Sequence, residues 1–257
     1  MIKVIFFDVD GTLLSHKLNT VPESTRASIT QIREKGIKTV IATGRHMIEL
    51  SKLPVMDLNF DGFLTLNGQL ILDSTKKLVA STAIDRGEME IISRIFQAHK
   101  IPFMLIGEDH RYINYVDDLV EYTQNSTKGT IPDVGEYQGE DIYQCIAFVP
   151  AHEKNLLTNI LDECSVVSWN ETGIDIIPRG GGKAVGIQQF LNAYGIDRSE
   201  VMAFGDGDND IEMLKYVGIG VAMGNASDAV KAAADYVTTP IDENGISNAL
   251  RHFGLID

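Results

Sequence analysis

The stretch Asp8-Val9-Asp10-Gly11-Thr12 follows directly on the apolar run Lys3-Val4-Ile5-Phe6-Phe7. That junction constrains the chain more than any other. The run is short, contains β-branched and aromatic residues, and is soon ended by a glycine, so it reads as a buried strand. Residues two apart on an extended backbone point the same way, which lets Asp8 and Asp10 reach one site where the strand gives way to a loop. Gly11 permits a sharp turn and close approach of the backbone to a ligand, and Thr12 adds a hydroxyl. Adjacent carboxylates repel unless a proton or cation lies between them, so the arrangement calls for a divalent metal. A solvated acidic turn is the alternative reading of these five residues alone.

The next elements repeat the theme. Pro22-Glu23-Ser24 opens a helix to about Lys35, and Ile37–Ala42 reads as a second strand ended by Thr43-Gly44-Arg45. A strand, a helix and a strand of these lengths form a βαβ unit with parallel strands, which puts Thr43 at the same sheet edge as Asp8. Ligands of open α/β sheets bind at that edge. A hydroxyl followed by Gly44 at a helix start suits a phosphate oxygen, although an ordinary turn would look the same. His46 falls on the helix that begins there. Asp61–Leu66 is expected to be a third strand, returning through an Asn67-Gly68 hairpin turn into Gln69–Leu72. Asn67 is either that turn residue or a ligand contact at a strand end.

From about Ser81 the pattern changes to hairpin-like strands and helices: helix 85–99, strands 102–106 and 112–116, a short helix 117–124, a polar loop 125–139, strand 141–149, helix 151–163, and strands 166–169 and 174–177. This reads as an α+β module with an antiparallel sheet, and no cluster in it looks catalytic. Trp169 and the Tyr112/Tyr115 pair are read as core or half-buried sheet residues. Three glycines, 180–182, then precede Lys183 at a helix start; they allow close approach of an anion, and the ammonium supplies positive charge. Glu200–Phe204 is another buried strand, ended by Gly205-Asp206-Gly207-Asp208-Asn209-Asp210. Such acid density after an apolar strand is costly without a cation. A calcium-binding EF-hand loop is excluded, because a strand precedes it and the glutamate twelve positions on is missing. Gly218–Gly224 makes a fifth core strand.

A net charge of −14 argues against nucleic acid and anionic membranes as partners, but not against an anionic substrate beside a local metal or helix terminus. Cys145 and Cys164 lack metal-ligand spacing and make no disulfide framework. Met1-Ile2-Lys3 runs straight into the first strand without a signal-peptide pattern, and no apolar run approaches bilayer length. A cytoplasmic protein is expected.

Asp8-x-Asp10-Gly-Thr12-Leu, Thr43-Gly44-Arg45, Lys183 and Gly205-Asp206-x-x-Asn209-Asp210 stand in this order at strand ends or helix starts. The set resembles the haloacid-dehalogenase-like hydrolases and, more closely, their Cof-type sugar-phosphatase subfamily. The resemblance covers the whole chain. It implies an α/β fold: a doubly wound, Rossmann-like parallel-sheet core of residues 1–81 and 180–257, with an α+β cap of residues 82–179 inserted after the third core strand. It also implies Asp8 as the nucleophile that forms an aspartyl-phosphate, and Asp10 as general acid/base whose carbonyl also binds Mg²⁺. Asp206 would complete the protein ligands of Mg²⁺ with Asp210 behind it. Thr43 and Lys183 would hold the phosphoryl group, with Asn209, and Thr12, Gly44 and Asn67 beside it, as further contacts. The expected activity is Mg²⁺-dependent hydrolysis of a small phosphate ester. A phosphomutase of the same superfamily and a phospho-accepting signalling domain are the alternatives.

Overall fold

The computed structural model describes residues 1–126, 129–168 and 171–257. Trp169, and Thr127 and Lys128 of the polar loop, lie outside the described residues. In chain order the strands are β1 (Val4–Phe7), β2 (Lys38–Ala42), β3 (Gly62–Thr65), β4 (Leu70–Asp73), β5 (Leu78–Ser81), β6 (Phe103–Ile106), β7 (Arg111–Ile113), β8 (Gln144–Phe148), β9 (Cys164–Ser168), β10 (Gly173–Pro178), β11 (Val201–Gly205), β12 (Ile219–Ala222) and β13 (Tyr236–Val237). The helices are α1 (Glu23–Glu34), α2 (Met47–Leu50), α3 (Arg86–Ala98), α4 (Asp118–Ser126), α5 (Asn155–Thr158), α6 (Lys183–Tyr194), α7 (Ile211–Tyr216), α8 (Asp228–Ala233) and α9 (Gly245–His252). They fall into two compact units. One contains Met1–Arg45, Leu50–Ala80 and Gly182–Asp257; the other contains His46–Glu49 and Ser81–Gly181.

The first unit is built on an eight-stranded sheet in the order β13-β12-β11-β1-β2-β3-β4-β5. Strands β13 to β3 pair in parallel and β4 returns antiparallel to β3. The chain thus winds outward from β1 in both directions, and β1 and β11 are neighbours at the switch point. Every residue of β1 is buried, and alternate side chains serve opposite faces. Val4 and Phe6 join Ile187, Phe190, Leu191, Met213, Leu214 and Val230 of the α6–α8 layer, with Phe6 edge-on to Phe190 at 5.4 Å. Phe7 stacks on Phe204 at 5.2 Å, and α1 packs on α9. Each buried phenylalanine contributes about 1.5–3 kcal/mol.

The Asn67-Gly68 turn is wider than the expected two-residue hairpin. Strand β3 ends at Thr65, opposite Leu70, and Leu66, Asn67 and Gly68 are consecutive left-handed residues with φ of 51°, 55° and 85°. The cause is local pairing: Leu66 and Asn67 turn their N–H groups to the Arg45 and Thr43 carbonyls instead of continuing the ladder.

The second unit is an antiparallel sheet, β7-β6-β8-β10-β9. Its core gathers Met89, Ile92 and Phe96 of α3 with Phe103, Leu105, Cys145, Ala147, Ile174 and Ile176. Tyr112 takes part in this core, edge-on to Phe96. The buried Asn114 amide donates to the Phe96 and Ile101 carbonyls and accepts from the Phe103 N–H, so its polar atoms are matched. The helix expected over 151–163 is shorter. A 3₁₀ turn, Ala151–Glu153, leads into the single turn α5. Asn155, Thr158, Asn159 and Asp162 are weak helix formers, and Leu157 and Leu161 suffice to anchor the segment in the core.

His46 immediately precedes α2. Its Nδ1 accepts from the Ile48 N–H at 3.2 Å, which leaves the proton on Nε2, 3.0 Å from the Glu108 carbonyl. Burial pushes its pKa down, outweighing the Glu108 carbonyl. The unfolded chain therefore binds the proton first as pH falls, so the neutral ring's contribution is present above about pH 6.5 and is lost as pH drops toward the depressed folded value. Asn in place of His46 keeps an acceptor for Ile48 and does not titrate. Urea unfolding at about pH 7.5 and about pH 5.5 should show wild type losing stability relative to His46→Asn on acidification; a pH-independent difference would refute this account.

Candidate active site

Asp8, Asp10, Thr12, Thr43, Gly44, Asn67, Lys183, Asp206, Asn209 and Asp210 all belong to the first unit, and the parallel order places the strand-end residues among them along one edge. Asp8 follows β1, Thr43 follows β2, Asp206 follows β11, and Lys183 opens α6. Lys183 lies on the buried face of α6, one turn before Ile187 and two before Phe190 and Leu191. The spacing that anchors the helix therefore drives the ammonium inward. Gly186, on the same face, presses against Gly68, where a Cβ on either residue would meet the other's backbone.

The lysine ends between two acids. Its Nζ donates to Asp8 Oδ1 at 2.6 Å and to Asp210 Oδ1 at 2.6 Å, with the lysine side chain fully buried. Asp210 Oδ2 accepts the N–H groups of Asp206 and Gly207, both at 3.0 Å, so this acid also shapes the turn that presents Asp206. Asp206 receives the Thr12 hydroxyl on Oδ1 at 2.7 Å and the Asn225 amide on Oδ2 at 3.1 Å. The same Asn225 amide donates to the Gly11 carbonyl at 3.0 Å. Gly11 has φ +82°, and any Cβ there would run into the Asp206 carboxylate. Glycine is needed here for both conformation and clearance.

Asp8, Asp206 and Asp210 each offer an oxygen within 4.8 Å of the others. Burial, then the neighbouring acids, raise Asp8 well above the usual carboxylate range although Lys183 opposes the shift. Burial likewise pushes Asp206 up to about 6, against the Thr12 hydrogen bond. Burial alone would lower Lys183, but Asp210 and Asp8 outweigh it and hold the ammonium above its ordinary range. The set carries more negative charge than one ammonium balances, and a hard divalent cation on an oxygen-only donor set would relieve it.

Asp10 is separate. Its carboxylate lies outside that trio and takes two hydrogen bonds from Arg45, Nε to Oδ2 at 2.6 Å and Nη2 to Oδ1 at 2.8 Å. Thr43 Oγ1 accepts the Arg45 N–H at 3.1 Å, which leaves its own proton for a ligand. Asn209 Nδ2 donates to Asn67 Oδ1 at 3.0 Å, and Gly44 passes so close to the Asn67 amide that a side chain would crowd it. Thr12, expected beside the phosphoryl group, gives its proton to Asp206 instead. Arg45 stands in the Thr43-Gly44-Arg45 motif without a role legible from the sequence, and no sequence signal points to Asn225. Asn225 sits in an ordinary Gly-Asn turn after β12, and only folding brings it to Gly11.

Residues 5–250 match the haloacid dehalogenase-like hydrolase family. YkrA of Bacillus subtilis is 34% identical over 99% of this chain and 98% of its own length. The 5-amino-6-(5-phospho-D-ribitylamino)uracil phosphatase YitU of the same organism is 31% identical over 97% of each chain. Among solved structures, BT1666 from Bacteroides thetaiotaomicron superposes with a TM-score of 0.91 at 32% identity, covering 100% of this chain and 96% of that one. The subclass IIB sugar phosphatase BT4131 gives 0.89 at 33% identity, covering 99% and 100%. The chain belongs to the haloacid dehalogenase-like hydrolases, in their Cof-type subfamily, and is a phosphatase. Among the described residues no helix is long and apolar enough to cross a membrane.

Replacing Lys183 with methionine keeps the apolar stem and strands two buried acids. Breaking a buried ion pair costs about 3–5 kcal/mol. Lys183→Met should fall in that range by urea unfolding at neutral pH. It should recover stability as pH falls, because Asp8, whose folded pKa is raised by burial, binds its proton in the folded state first. A loss below about 1 kcal/mol would show that the ammonium is not what holds this site together.

Proposed function

We propose that the chain is a Mg²⁺-dependent phosphatase of small organic phosphate monoesters, sugar phosphates foremost, working through an aspartyl-phosphate on Asp8. The observation that carries the reading is the gathering of Asp8, Asp206 and Asp210 within 4.8 Å of one another, with the buried ammonium of Lys183 shared by Asp8 and Asp210. Asp8, Asp206 and Asp210, with the Asp10 main-chain carbonyl, would hold the ion. When bound, Mg²⁺ would screen the anionic nucleophile from its anionic target and neutralise phosphoryl oxygens.

The chain's own groups supply the rest. An Asp8 carboxylate oxygen attacks phosphorus, and the bond to the leaving oxygen breaks with its electron pair going to that oxygen. Asp10 gives the leaving oxygen a proton. Water then attacks the aspartyl-phosphate and passes a proton to Asp10, while the phosphorus–Asp8 bond breaks and returns its pair to Asp8. Lys183 fixes Asp8 and adds positive charge beside the transferring group. Thr43 has a hydroxyl proton to offer a phosphoryl oxygen. Asn209, steadied by Asn67 beside Gly44, is a further contact. The preference for sugar phosphates is supported by the relatives, since BT4131 is a sugar phosphatase and YitU's substrate carries a ribityl phosphate.

The test is phosphate release from p-nitrophenyl phosphate and a panel of sugar phosphates. EDTA should abolish turnover and Mg²⁺ restore it. Ca²⁺ should not, because it is larger and accepts bidentate carboxylates that would occupy the attacking oxygen. Asp8→Asn should remove turnover with thermal unfolding little changed. Activity within about tenfold of wild type would end the nucleophile assignment.

The second unit we assign to choosing among leaving groups, since it contributes none of the acids or Lys183. Exchanging residues 82–179 for the matching segment of BT4131 should reorder kcat/KM across the panel. A folded chimera with the original order would refute the assignment.

A further inference from the structure

We propose that Arg45 is the positioning residue for Asp10, holding its carboxylate where it exchanges protons first with the leaving oxygen and then with water. This rests on Asp10 being the proton carrier, as read above. The contact is a fork, with two N–H groups of one rigid guanidinium meeting the two oxygens of one carboxylate at 2.6 and 2.8 Å. Such a pair fixes the carboxylate plane as well as its position. Asp10 has little else to orient it. Its side chain is 31% exposed, and the nearby His16 is mainly exposed, with Nε2 4.0 Å from Oδ1, beyond hydrogen-bond reach. Without Arg45 the acid would sample other rotamers in solvent.

Arg45 is itself anchored at both ends of its residue. Its N–H donates to Thr43 Oγ1 at 3.1 Å, and its carbonyl accepts the Leu66 N–H at 3.2 Å. The Asn67 N–H reaches the Thr43 carbonyl at 2.9 Å. Leu66 and Asn67 make these bonds from left-handed conformations, which a residue with a Cβ rarely adopts and which Asn tolerates better than Leu. Backbone strain of this kind persists where surrounding structure over-determines it. Here it fastens the segment that carries Arg45. The fork also fits both halves of the proton transfer. The carboxylate can accept both N–H groups while it waits for water's proton. The protonated acid keeps one oxygen on Arg45 and turns its O–H to the leaving oxygen.

Leaving-group dependence tests the assignment. p-Nitrophenolate departs without a proton, whereas a sugar alkoxide needs one. The kcat/KM of wild type, Arg45→Ala, Arg45→Lys and Asp10→Asn is measured on glucose 6-phosphate and on p-nitrophenyl phosphate, with thermal unfolding as the check on folding. Arg45→Ala should lose about 10²-fold on the sugar ester and only a few-fold on the aryl ester. Arg45→Lys, which keeps the charge but not the fork, should lie between. Because Asp10 also serves the water step, Arg45→Ala should release nitrophenolate in a burst followed by slow turnover. Inhibition by inorganic phosphate should be unchanged. An equal loss on both esters without a burst, or weakened phosphate inhibition, would overturn the proposal and make Arg45 a structural or phosphate-binding residue. Asp10→Asn separates the two layers. If it shows no ester-selective loss, the proton-carrier reading fails; if it does while Arg45→Ala does not, only the role of Arg45 fails.

Discussion

The buried ammonium of Lys183, shared between Asp8 and Asp210, is the interaction on which the rest of the first unit's edge depends. Charges are taken out of water only when they are paired, because an uncompensated buried ion costs several kcal/mol. The pairing works here because α6 carries the lysine in register with Ile187 and Phe190, so hydrophobic burial of the helix and delivery of the cation are one event. Glycines make the approach possible. Gly186 and Gly68 bring α6 against the 66–68 turn, and Gly11 leaves room for the Asp206 carboxylate. A methyl group at any of them would push the charges apart.

Four aspartates share this edge, and their partners distinguish them. Asp8 and Asp210 divide the ammonium; Asp210 also binds two backbone N–H groups, while Asp206 is oriented by Thr12 and Asn225, and Asp10 by Arg45. Chemically alike groups are thereby set to different proposed tasks. A carboxylate between an ammonium and other buried acids suits attack and metal binding, whereas a half-exposed one gripped by a guanidinium suits proton traffic. This division resides in the partners of each acid, which lie from 3 to 194 positions away along the chain.

Much of this was legible from local pattern. The apolar run before Asp8 reads as a buried strand, and the acid density after Phe204 is costly without a cation. The βαβ spacing put Thr43 on their edge, and the structure has Asp8, Thr43 and Asp206 there. Elements that owe their shape to partners distant in sequence were less legible. The helix expected over 151–163 shrank because two leucines satisfy the core. The Asn67-Gly68 turn widened because its N–H groups bond to Thr43 and Arg45. Strand β5 carries no clear strand signal, because its residues alternate only between exposed and half-buried positions, with no buried stripe.

Sequence alone settled the strand-to-loop junctions, the parallel winding and the kinds of group available, since these follow from periodicity, glycine and charge density over a few residues. Tertiary structure decided which acid met which partner. Lys183 could have been a surface lysine, Arg45 a turn residue and Asn225 part of a bland loop; each acquired its partner only when the sheet order brought together segments 175, 35 and 214 positions apart. Hydrogen bonds and ion pairs act over about 3 Å, a distance that long-range folding sets and local sequence does not encode.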